Sequence, residues 1–583
     1  MSPPYGDFPS LISHQQIVEE EIESDDEVDQ FDSQFVPICA TAILQDDFPF
    51  DYFERETTRN FLQQLNPHVV LPPPNVIEAY VSDLYTEEKL KLKQELATNP
   101  NRISLSFDLW ESCTTETYIC LTAHFVDADW KLKSKLLNFC VVLDTAAEMC
   151  ERTIEFLNDW GIEKKIFSLT LDQSPKNDIF QEELKMKLGL QNGLVCGGEF
   201  FHARCFARVF KLIVDEGLKL VSRAVCKIRE SIWFVKESKS RRQKFRKCVE
   251  KVGGVDSSAR LHLDMSMSVN STHLMLESAL KYRGVFESLH LYDDSYESCP
   301  STEEWKRVER ICPFLLPFCE TANMINGTTR PTSNMCFLQV WKVQCVLVDT
   351  LEDEDEVIKR MAKRMMNKFK KYWDEYSDIL ALGVVLDPRM KFSRLAYCYS
   401  KLDPSTCEQK LQKLKTKLYM LFDSYSSKST SFGVQTPIHD LFDELKMHHQ
   451  ELDTETGKSQ LDIYLDEPGL DFHSYEDMDV LQWWKNNNDR FPELSRLACD
   501  LLSVPITTVA SNSEYCTGSH FFNKYKDRIL PMDVETRICT RSWLYNFVSN
   551  DREDDDDDDD FEEMMKEFDG DDDDDDDGED GDE

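Results

Sequence analysis

Residues 478–546 read MDVLQWWKNNNDRFPELSRLACDLLSVPITTVASNSEYCTGSHFFNKYKDRILPMDVETRICTRSWLYN, the densest block of apolar periodicity in the chain. Apolar residues recur there at steps of three and four, which predicts two successive amphipathic helices that meet near Pro492. The sequence Ser503-Val504-Pro505 predicts the end of the second helix, because the residue before a proline is pushed out of the helical region. A last helix is predicted from Asp533 to Phe547.

These helices carry more apolar side chains than a short helical hairpin can bury by itself. Exposed apolar patches of that size usually mark an interface. We therefore predict that part of this surface covers a sheet and that the rest forms a dimer interface. The predicted interface residues are Trp483, Trp484, Phe491, Leu494, Leu497, Trp543 and Leu544.

The segments WWK, FPELSRLACDLLSVP, TTVASNSEYCTG and ICTRSWL resemble, in order and spacing, the C-terminal dimerisation region of hAT-family transposases. The resemblance implies that this region packs against a second subunit and supplies the glutamate of an Asp-Asp-Glu metal site. The family pattern V-A-S-E-S-x-F-S is matched from Val509 to Cys516, with Asn512 at the glutamate position. Ser511 or Asn512 is predicted to cap a helix there. Glu514 is shifted by two residues, about 200° around that helix, and is not expected to take over.

The net charge of −43 is concentrated at the two ends of the chain. Residues 551–583 hold 24 acidic and 2 basic residues, and residues 1–34 hold 10 acidic and no basic residues, which leaves −11 for the rest. Such dense like charge opposes collapse, so both ends are predicted to be disordered. The whole chain of 583 residues is long enough for about three or four domains.

Cysteine usage indicates an intracellular protein without a zinc ribbon. The 19 cysteines form no CxxC pair, and Cys39 is the only one before Cys113, which predicts reduced thiols and the absence of a BED zinc finger. No apolar run approaches the roughly 20 residues that span a bilayer, so a membrane role is not expected. No metal and no other cofactor is expected.

The pattern between Arg102 and Gly198 predicts about five strands. Residues 102–127 alternate as a hairpin, a third strand follows at 136–142, and a helix at 146–160 leads into a strand at 166–172. The residues after Phe200, beginning with the segment FFHARCFARVFKLIVDEGL, are predicted to be almost entirely helix or loop.

Two aspartates stand at family motif positions in these strands. Asp108, in FDLW, could be a water-facing residue of an edge strand. The segment also resembles the family's S-D-L-W, which implies the first catalytic aspartate. Asp172, in DQS, resembles the second aspartate's motif. Two carboxylates at neighbouring strand ends can share divalent ions that activate water for phosphodiester cleavage.

Three motif positions depart from the family pattern. Asn512 replaces the glutamate, and Arg208 replaces the histidine of R-C-x-A-H. Residues 267–269 replace a T-R-W segment, whose tryptophan is associated in the family with binding of the transposon end. Because the flanking motif residues remain, Asp108 and Asp172 are interpreted as relics of an inactive site, with no metal bound.

The segment from Arg223 to Lys251 is basic, with 11 Lys or Arg and 3 Glu. A row of cations on a helix can neutralise phosphates of any sequence, although a solvated helix face would look the same. The predicted DNA contacts are Lys239, Arg241, Arg242, Lys244, Arg246 and Lys247.

The resemblance covers most of the chain, and its motifs look most similar to those of the plant Ricesleeper/Daysleeper type of domesticated hAT protein. It implies an α/β plus all-α chain, with a ribonuclease-H-like transposase fold split by a large helical insertion, a helical C-terminal dimerisation region and disordered acidic ends. The predicted parts are an acidic arm (1–36), a helical subdomain (37–100), the first ribonuclease-H-like part (101–220), the helical insertion (221–475), the dimerisation region (476–550) and an acidic tail (551–583).

The predicted function is that of a catalytically inactive nuclear protein that dimerises and binds DNA or chromatin in transcriptional regulation. Its expected partners are a second copy or related hAT proteins, DNA, and basic nuclear proteins at the acidic tail. One alternative is a protein-only partner that titrates related proteins by heterodimerisation. The other is an active transposase.

Overall fold

The computed structural model describes residues 33–508 and 531–545, apart from positions 47, 68, 112–116, 144, 173, 192, 254–259, 265–268, 327–332, 427–457 and 476. These residues fall into two compact units, one up to Leu84 and one from Tyr85 onward. The acidic tail and most of the acidic arm lie outside the described residues, as do Asn512, Glu514 and the helix predicted around them.

The first unit is helical, as predicted for this region. It contains α1 (Phe35–Gln45), a short 3₁₀ helix (Phe50–Glu54), α2 (Glu56–Leu65) and the start of α3 (Pro74–Thr98), within which the unit boundary falls. The buried residues of α1 recur at three- and four-residue steps, which gives this helix one apolar face. They are Val36, Cys39, Ala40, Ile43 and Leu44.

The second unit is built on a five-stranded mixed sheet in the order β3-β2-β1-β4-β5. β1 pairs antiparallel with β2, β2 pairs antiparallel with β3, and β1, β4 and β5 run parallel. Helices α4 and α5 cover one face, where Phe107 of β1 packs on Phe180 of α5 with ring centroids 4.6 Å apart. The elements are β1 (Ile103–Glu111), β2 (Thr117–Val126), β3 (Leu132–Val142), α4 (Ala146–Trp160), β4 (Ile166–Leu171), α5 (Pro175–Leu190) and β5 (His202–Arg204).

The predicted helix at 146–160 is confirmed, and its ends explain why it stops there. The Thr145 side chain caps the first turn, and Gly161 at φ 67° provides the left-handed residue that ends the helix. The prediction for the fifth strand was wrong in position. β5 lies beyond Gly198, within the segment predicted as helix, and α6 begins only at Phe206.

A large helical region follows the sheet, as predicted. The described residues between Phe206 and Ser426 contain no strand, which includes the described part of 300–420. Its helices are α6 (Phe206–Leu218), α7 (Ser222–Lys236), α8 (Lys239–Val252), α9 (Val269–Lys281), α10 (Arg283–Leu289), α11 (Thr302–Asn326), α12 (Ser333–Thr350), α13 (Glu356–Val385), α14 (Lys391–Leu402) and α15 (Cys407–Ser426).

The C-terminal helices are α16 (Gln460–Asp466), α17 (Val480–Asn486), α18 (Pro492–Leu502) and α19 (Pro531–Tyr545). The end of the second predicted helix before Ser503 is confirmed. α16 lies at the end of the segment predicted as the helical insertion. Tyr464 on this helix is fully buried, and its hydroxyl donates to the carbonyl oxygen of Val385 at 2.9 Å.

One buried carboxylate joins three distant parts of the chain. Asp500 in α18 accepts a hydrogen bond from the Arg102 backbone N–H at 2.8 Å and another from the Tyr425 hydroxyl at 2.5 Å. Burial raises the pKa of Asp500 to about 6, although both hydrogen bonds oppose the shift. This contact fixes α18 against the start of β1 and thereby sets where the following segment meets the sheet.

Candidate catalytic site

The two predicted aspartates lie side by side at the carboxyl ends of parallel strands. Phe107 of β1 is opposite Leu171 of β4, so Asp108, inside β1, is adjacent to Asp172, the first residue after β4. β1 lies in the middle of the sheet, which removes the interpretation of Asp108 as an edge-strand residue. Ligand and catalytic groups of open sheets collect at this edge.

The segment that follows α18 runs along the same edge. The Phe206 N–H donates to the Ile506 carbonyl at 2.7 Å, and the Thr170 hydroxyl donates to the Pro505 carbonyl at 2.7 Å. At its last described residue, the Thr508 hydroxyl donates to Oδ1 of Asp172 at 3.0 Å. Sequence reasoning did not identify Thr508, whose contact with Asp172 spans 336 positions.

Arg208 brings a positive charge to this pair of carboxylates. It lies in the first turn of α6, and its Nε is 2.9 Å from Oδ2 of Asp172. Both side chains are shielded, with 35% of Arg208 and 23% of Asp172 exposed. Burial lowers the pKa of Arg208, but Asp172 and Asp108 more than offset this effect and raise it above its ordinary value. The guanidinium is therefore a permanent cation of the site.

The environment of Asp108 disfavours its charged form. Burial and the neighbouring Asp172 carboxylate raise the pKa of Asp108 to about 7, while Arg208 and the Leu109 N–H, which donates to Oδ1 at 3.1 Å, act in the opposite direction. One guanidinium thus compensates two carboxylates only in part.

The described residues do not fit the divalent ion that an Asp-Asp-Glu site would hold. Each oxygen of Asp172 already has one partner, because Oδ2 lies 2.9 Å from Nε of Arg208 and Oδ1 accepts from Thr508, so an ion bound there would have to share this carboxylate with a guanidinium. Within the described parts of the chain, no cluster of three His, Cys, Asp or Glu could bind a metal. A dication about 5 Å from the guanidinium would be repelled by several kcal/mol at an effective dielectric constant of about 20.

We expect Asp108→Asn to stabilise the protein at alkaline pH. The folded-state pKa of Asp108 is raised from 3.8 to about 7, so the unmodified protein loses stability as pH rises between these values. The asparagine keeps the acceptor for Leu109 without this loss. Its advantage in free energy of unfolding should grow by about 2–3 kcal/mol between pH 5 and pH 8. Urea unfolding at both pH values measures it.

Asp172→Asn is the matched control for this experiment. It removes the partner of Arg208 and should destabilise the protein at pH 8, the opposite sign. If Asp108→Asn were no more stable than the unmodified protein at pH 8, the account of the carboxylate pair would be wrong.

The basic stretch is divided between α7 and α8, and its cations differ in their surroundings. Arg241 pairs with Glu237 and stacks on Phe234, with the guanidinium carbon 4.0 Å from the ring centroid. Lys244 donates to Asp293 at 2.8 Å, and this contact together with hydrogen bonds from Ser295 lowers the pKa of that carboxyl to about 2. Among the predicted DNA contacts, Arg242 is half-buried and the exposed residues are Lys239, Arg246 and Lys247.

Most predicted dimer-interface residues are buried within the chain itself. Trp484, Phe491, Leu494 and Leu497 have 0% exposure and Trp543 has 7%, whereas Trp483 and Leu544 are half-buried. The first five therefore belong to the part of this apolar surface that is covered by the chain itself, and which of the seven residues contact a second subunit stays a prediction. The partners of the first five are the insertion helices and the sheet, which the hairpin alone did not reveal.

The sheet order, the paired aspartates and the helical region between the sheet and the C-terminal helices define a ribonuclease-H-like transposase fold. Four family models match along the chain. They are the ZBED1 RNase-like domain at residues 106–200, the ZBED1 RNase-like helical domain at 203–314, the hAT-like transposase RNase-H fold at 334–425, and the hAT family C-terminal dimerisation region at 460–544.

Plant proteins are similar over most of the chain. Zinc finger BED domain-containing protein RICESLEEPER 2 of Oryza sativa subsp. japonica is 32% identical over 536 residues, 87% of this chain and 73% of the relative. DAYSLEEPER of Arabidopsis thaliana is 30% identical, with the same coverages. The Putative AC transposase of Zea mays is 30% identical over 86% of this chain and 64% of its own length. The chain belongs to the hAT transposase-like family.

Proposed function

We propose that this chain is a catalytically inactive hAT-derived protein that dimerises through its C-terminal region and binds DNA or chromatin in the nucleus, where it regulates transcription. The main support for the loss of catalysis is the contact between the Arg208 guanidinium and Asp172. A divalent ion at this position would need the Asp172 carboxylate as a ligand. Asn512 at the family's glutamate position agrees with this proposal.

The proposed catalytic loss has a chemical basis. Phosphodiester cleavage needs positive charge at both the attacking and the leaving oxygen, which paired divalent ions supply. A guanidinium bound to Asp172 supplies one fixed charge and cannot activate water, and a neutral amide at position 512 adds none. Loss of one such contribution commonly costs on the order of a thousandfold in rate.

Dimerisation rests on the matched family region at 460–544. The helices predicted to form the dimer interface also complete the core of their own chain, because Trp484 and Trp543 are buried in that core. A second copy or a related hAT protein is the proposed partner.

A search of the described helices for a membrane-spanning segment found none with the required length and hydropathy.

DNA binding is supported by the exposed cations of α8. Lys239, Arg246 and Lys247 leave their charges in solvent, whereas Arg241 and Lys244 are neutralised within the chain. The neutralisation of Arg241 and Lys244 favours a second candidate function, that of a protein-only partner that titrates related proteins. Acidic residues at 551–583 would add affinity for basic nuclear proteins in either case.

The triple variant Lys239→Ala/Arg246→Ala/Lys247→Ala is expected to weaken binding to any duplex. Each lost phosphate contact should reduce the steepness of the log–log salt dependence by about 1, so we expect a reduction of about 2–3. Fluorescence anisotropy with two unrelated duplexes at several salt concentrations measures it. Arg241 and Lys244 stay unchanged, because their removal would leave Glu237 and Asp293 without their cations.

The control is Lys131→Ala/Lys164→Ala, which removes two exposed lysines outside α8 that, like the α8 cations, form no ion pair among the described residues. It should leave the salt dependence nearly unchanged. An equal loss of salt dependence in both variants would mean that α8 is only a solvated surface and does not bind DNA. Absence of salt-dependent DNA binding by the unmodified protein would favour the protein-only candidate.

A further inference from the structure

Helix α13 contains a second run of cations, which the sequence interpretation did not select. Residues 357–372 hold seven Lys or Arg and no Asp or Glu. The run is bounded by Glu356 and by the acidic pair Asp374 and Glu375. Its local charge is +7 in a chain whose net charge is −43.

Helical periodicity separates this run into two faces. Ile358, Met361, Met365 and Phe369 recur at three- and four-residue steps and are buried in the helical core. The opposite face is exposed. It consists of Arg360, Lys363, Arg364, Lys370 and Lys371, here called the α13 stripe.

The α13 stripe has no counterions among the described side chains, since none of its five members forms an ion pair there. The nearest comparable contact on the helix joins Lys359 to Glu356 at 3.9 Å, outside the stripe. This distinguishes α13 from α8, where Arg241 and Lys244 are paired. Like charges three and four residues apart on a helix repel by a few tenths of a kcal/mol each, and a bound polyanion would remove that cost.

A cavity of about 400 Å³ continues the positive surface beside the stripe. Lys370 and Lys410 both line it, so it adds a cation from α15. Asp403 also lines the cavity, but its carboxylate already accepts hydrogen bonds from the hydroxyls of Ser405 at 2.5 Å and Thr406 at 2.8 Å. Hydrogen bonds from Ser405 and Thr406 and the charge of Lys410 lower the pKa of Asp403, so Lys410 already has a nearby carboxylate. Lys370 therefore remains available at this point for a carboxylate from elsewhere.

We propose that the α13 stripe binds the acidic segment 551–583 of the same chain. This segment carries 24 acidic and 2 basic residues, including aspartate runs at 554–560 and 571–577, so it has the charge and the repetition to match a row of cations. α19 ends at Tyr545, and the 25 residues from 546 to 570 can span up to about 80 Å when extended.

Covalent tethering favours this occupant over free polyanions. A segment tethered by a connection of this length meets a surface on the same molecule at an effective concentration on the order of a millimolar. Duplex DNA would have to displace it. The inference does not rest on DNA binding by α8 and concerns a different surface.

Zero-length carbodiimide cross-linking of the full chain tests the proposal, because it joins a lysine amine to a carboxylate only at ion-pair distance. At low salt, the cross-links of residues 551–583 should map mainly to Lys363, Lys370 and Lys371, and they should fall several-fold in 0.5 M NaCl. Lys239 and Lys247 of α8 are the internal comparison. A mixture of ¹⁴N- and ¹⁵N-labelled protein should show these links within single chains.

A matched pair of variants gives a second measurement. Lys363→Gln/Lys370→Gln/Lys371→Gln should increase the rate at which an aspartate-specific protease cleaves 551–583 by about 3–10-fold, whereas Lys239→Gln/Lys247→Gln should not. All five lysines are exposed, so neither variant should disturb the core. Three results would each overturn the proposal. The first is an even spread of cross-links over all exposed lysines, and the second is cross-links formed mainly between chains. The third is a stripe that added DNA protects although no tail cross-links form when DNA is absent.

Discussion

Replacing Arg208 with alanine is expected to lower the free energy of unfolding by about 2–3 kcal/mol at pH 8. The change leaves Asp172 and Asp108 adjacent without their cation, and loss of one partner of a buried ion pair costs about 3–5 kcal/mol. The lower range applies because both members of the pair are partly exposed and solvent screens them.

The same variant should become dependent on divalent ions. With the guanidinium gone, Mg²⁺ or Ca²⁺ at millimolar concentration can bind between the carboxylates and recover part of the stability. The unmodified protein should show no such gain in melting temperature. The unmodified protein carries the same acidic tail, so ion binding there is common to both proteins and does not contribute to the difference between them.

Arg208→Lys is the control, since it retains a charge but loses the fork geometry of the guanidinium. It should lose less stability than Arg208→Ala and show little response to Mg²⁺. Equal stabilities of Arg208→Ala and the unmodified protein, with no response to either ion, would mean that the ion pair does not hold the site together.

Replacing Trp484 with alanine is expected to destabilise the fold by about 3–5 kcal/mol, the range for truncating a buried tryptophan. Its side chain is fully buried, and its indole N–H donates to the Leu386 carbonyl at 2.9 Å. Its ring packs on Tyr464 at 5.1 Å and Phe491 at 6.4 Å. The variant would leave a large cavity and an unpaired carbonyl.

Trp483→Ala is the comparison for this prediction, because Trp483 is adjacent in sequence and only half-buried. Its cost should be clearly smaller in the same urea titration. A mainly intersubunit role for Trp484 would give the reverse pattern: dissociation to monomers on light scattering with little change in the stability of each chain.

The fold was predictable because its signals are local. Alternation of apolar and polar residues predicted β1 and β2, and helical spacing of apolar residues predicted α4 and α18. Similarity to the family's sequence motifs identified Asp108 and Asp172. β5 was missed because its three residues are too few to show alternation. The helix predicted there, moreover, starts only four residues after β5 begins.

The candidate site was less predictable because its interactions are long-range. The sequence revealed arginine at position 208 but not that its charge lies against Asp172. Lys244 looked like a free cation because its partner Asp293 is 49 positions away. Trp484 looked available for an interface because Leu386, which accepts its N–H, is 98 positions away. Tertiary packing decided each of these cases.

Metal-dependent nicking by the unmodified protein is the most direct measurement of the proposed catalytic loss. Supercoiled plasmid, with and without hAT terminal inverted repeats, would be incubated with the protein in Mg²⁺ or Mn²⁺, beside Asp108→Ala and Asn512→Glu. We expect no nicking above background from the unmodified protein or Asp108→Ala. Asn512→Glu should also remain inactive while Arg208 is present. Nicking by the unmodified protein that requires the metal and disappears in Asp108→Ala would contradict the account.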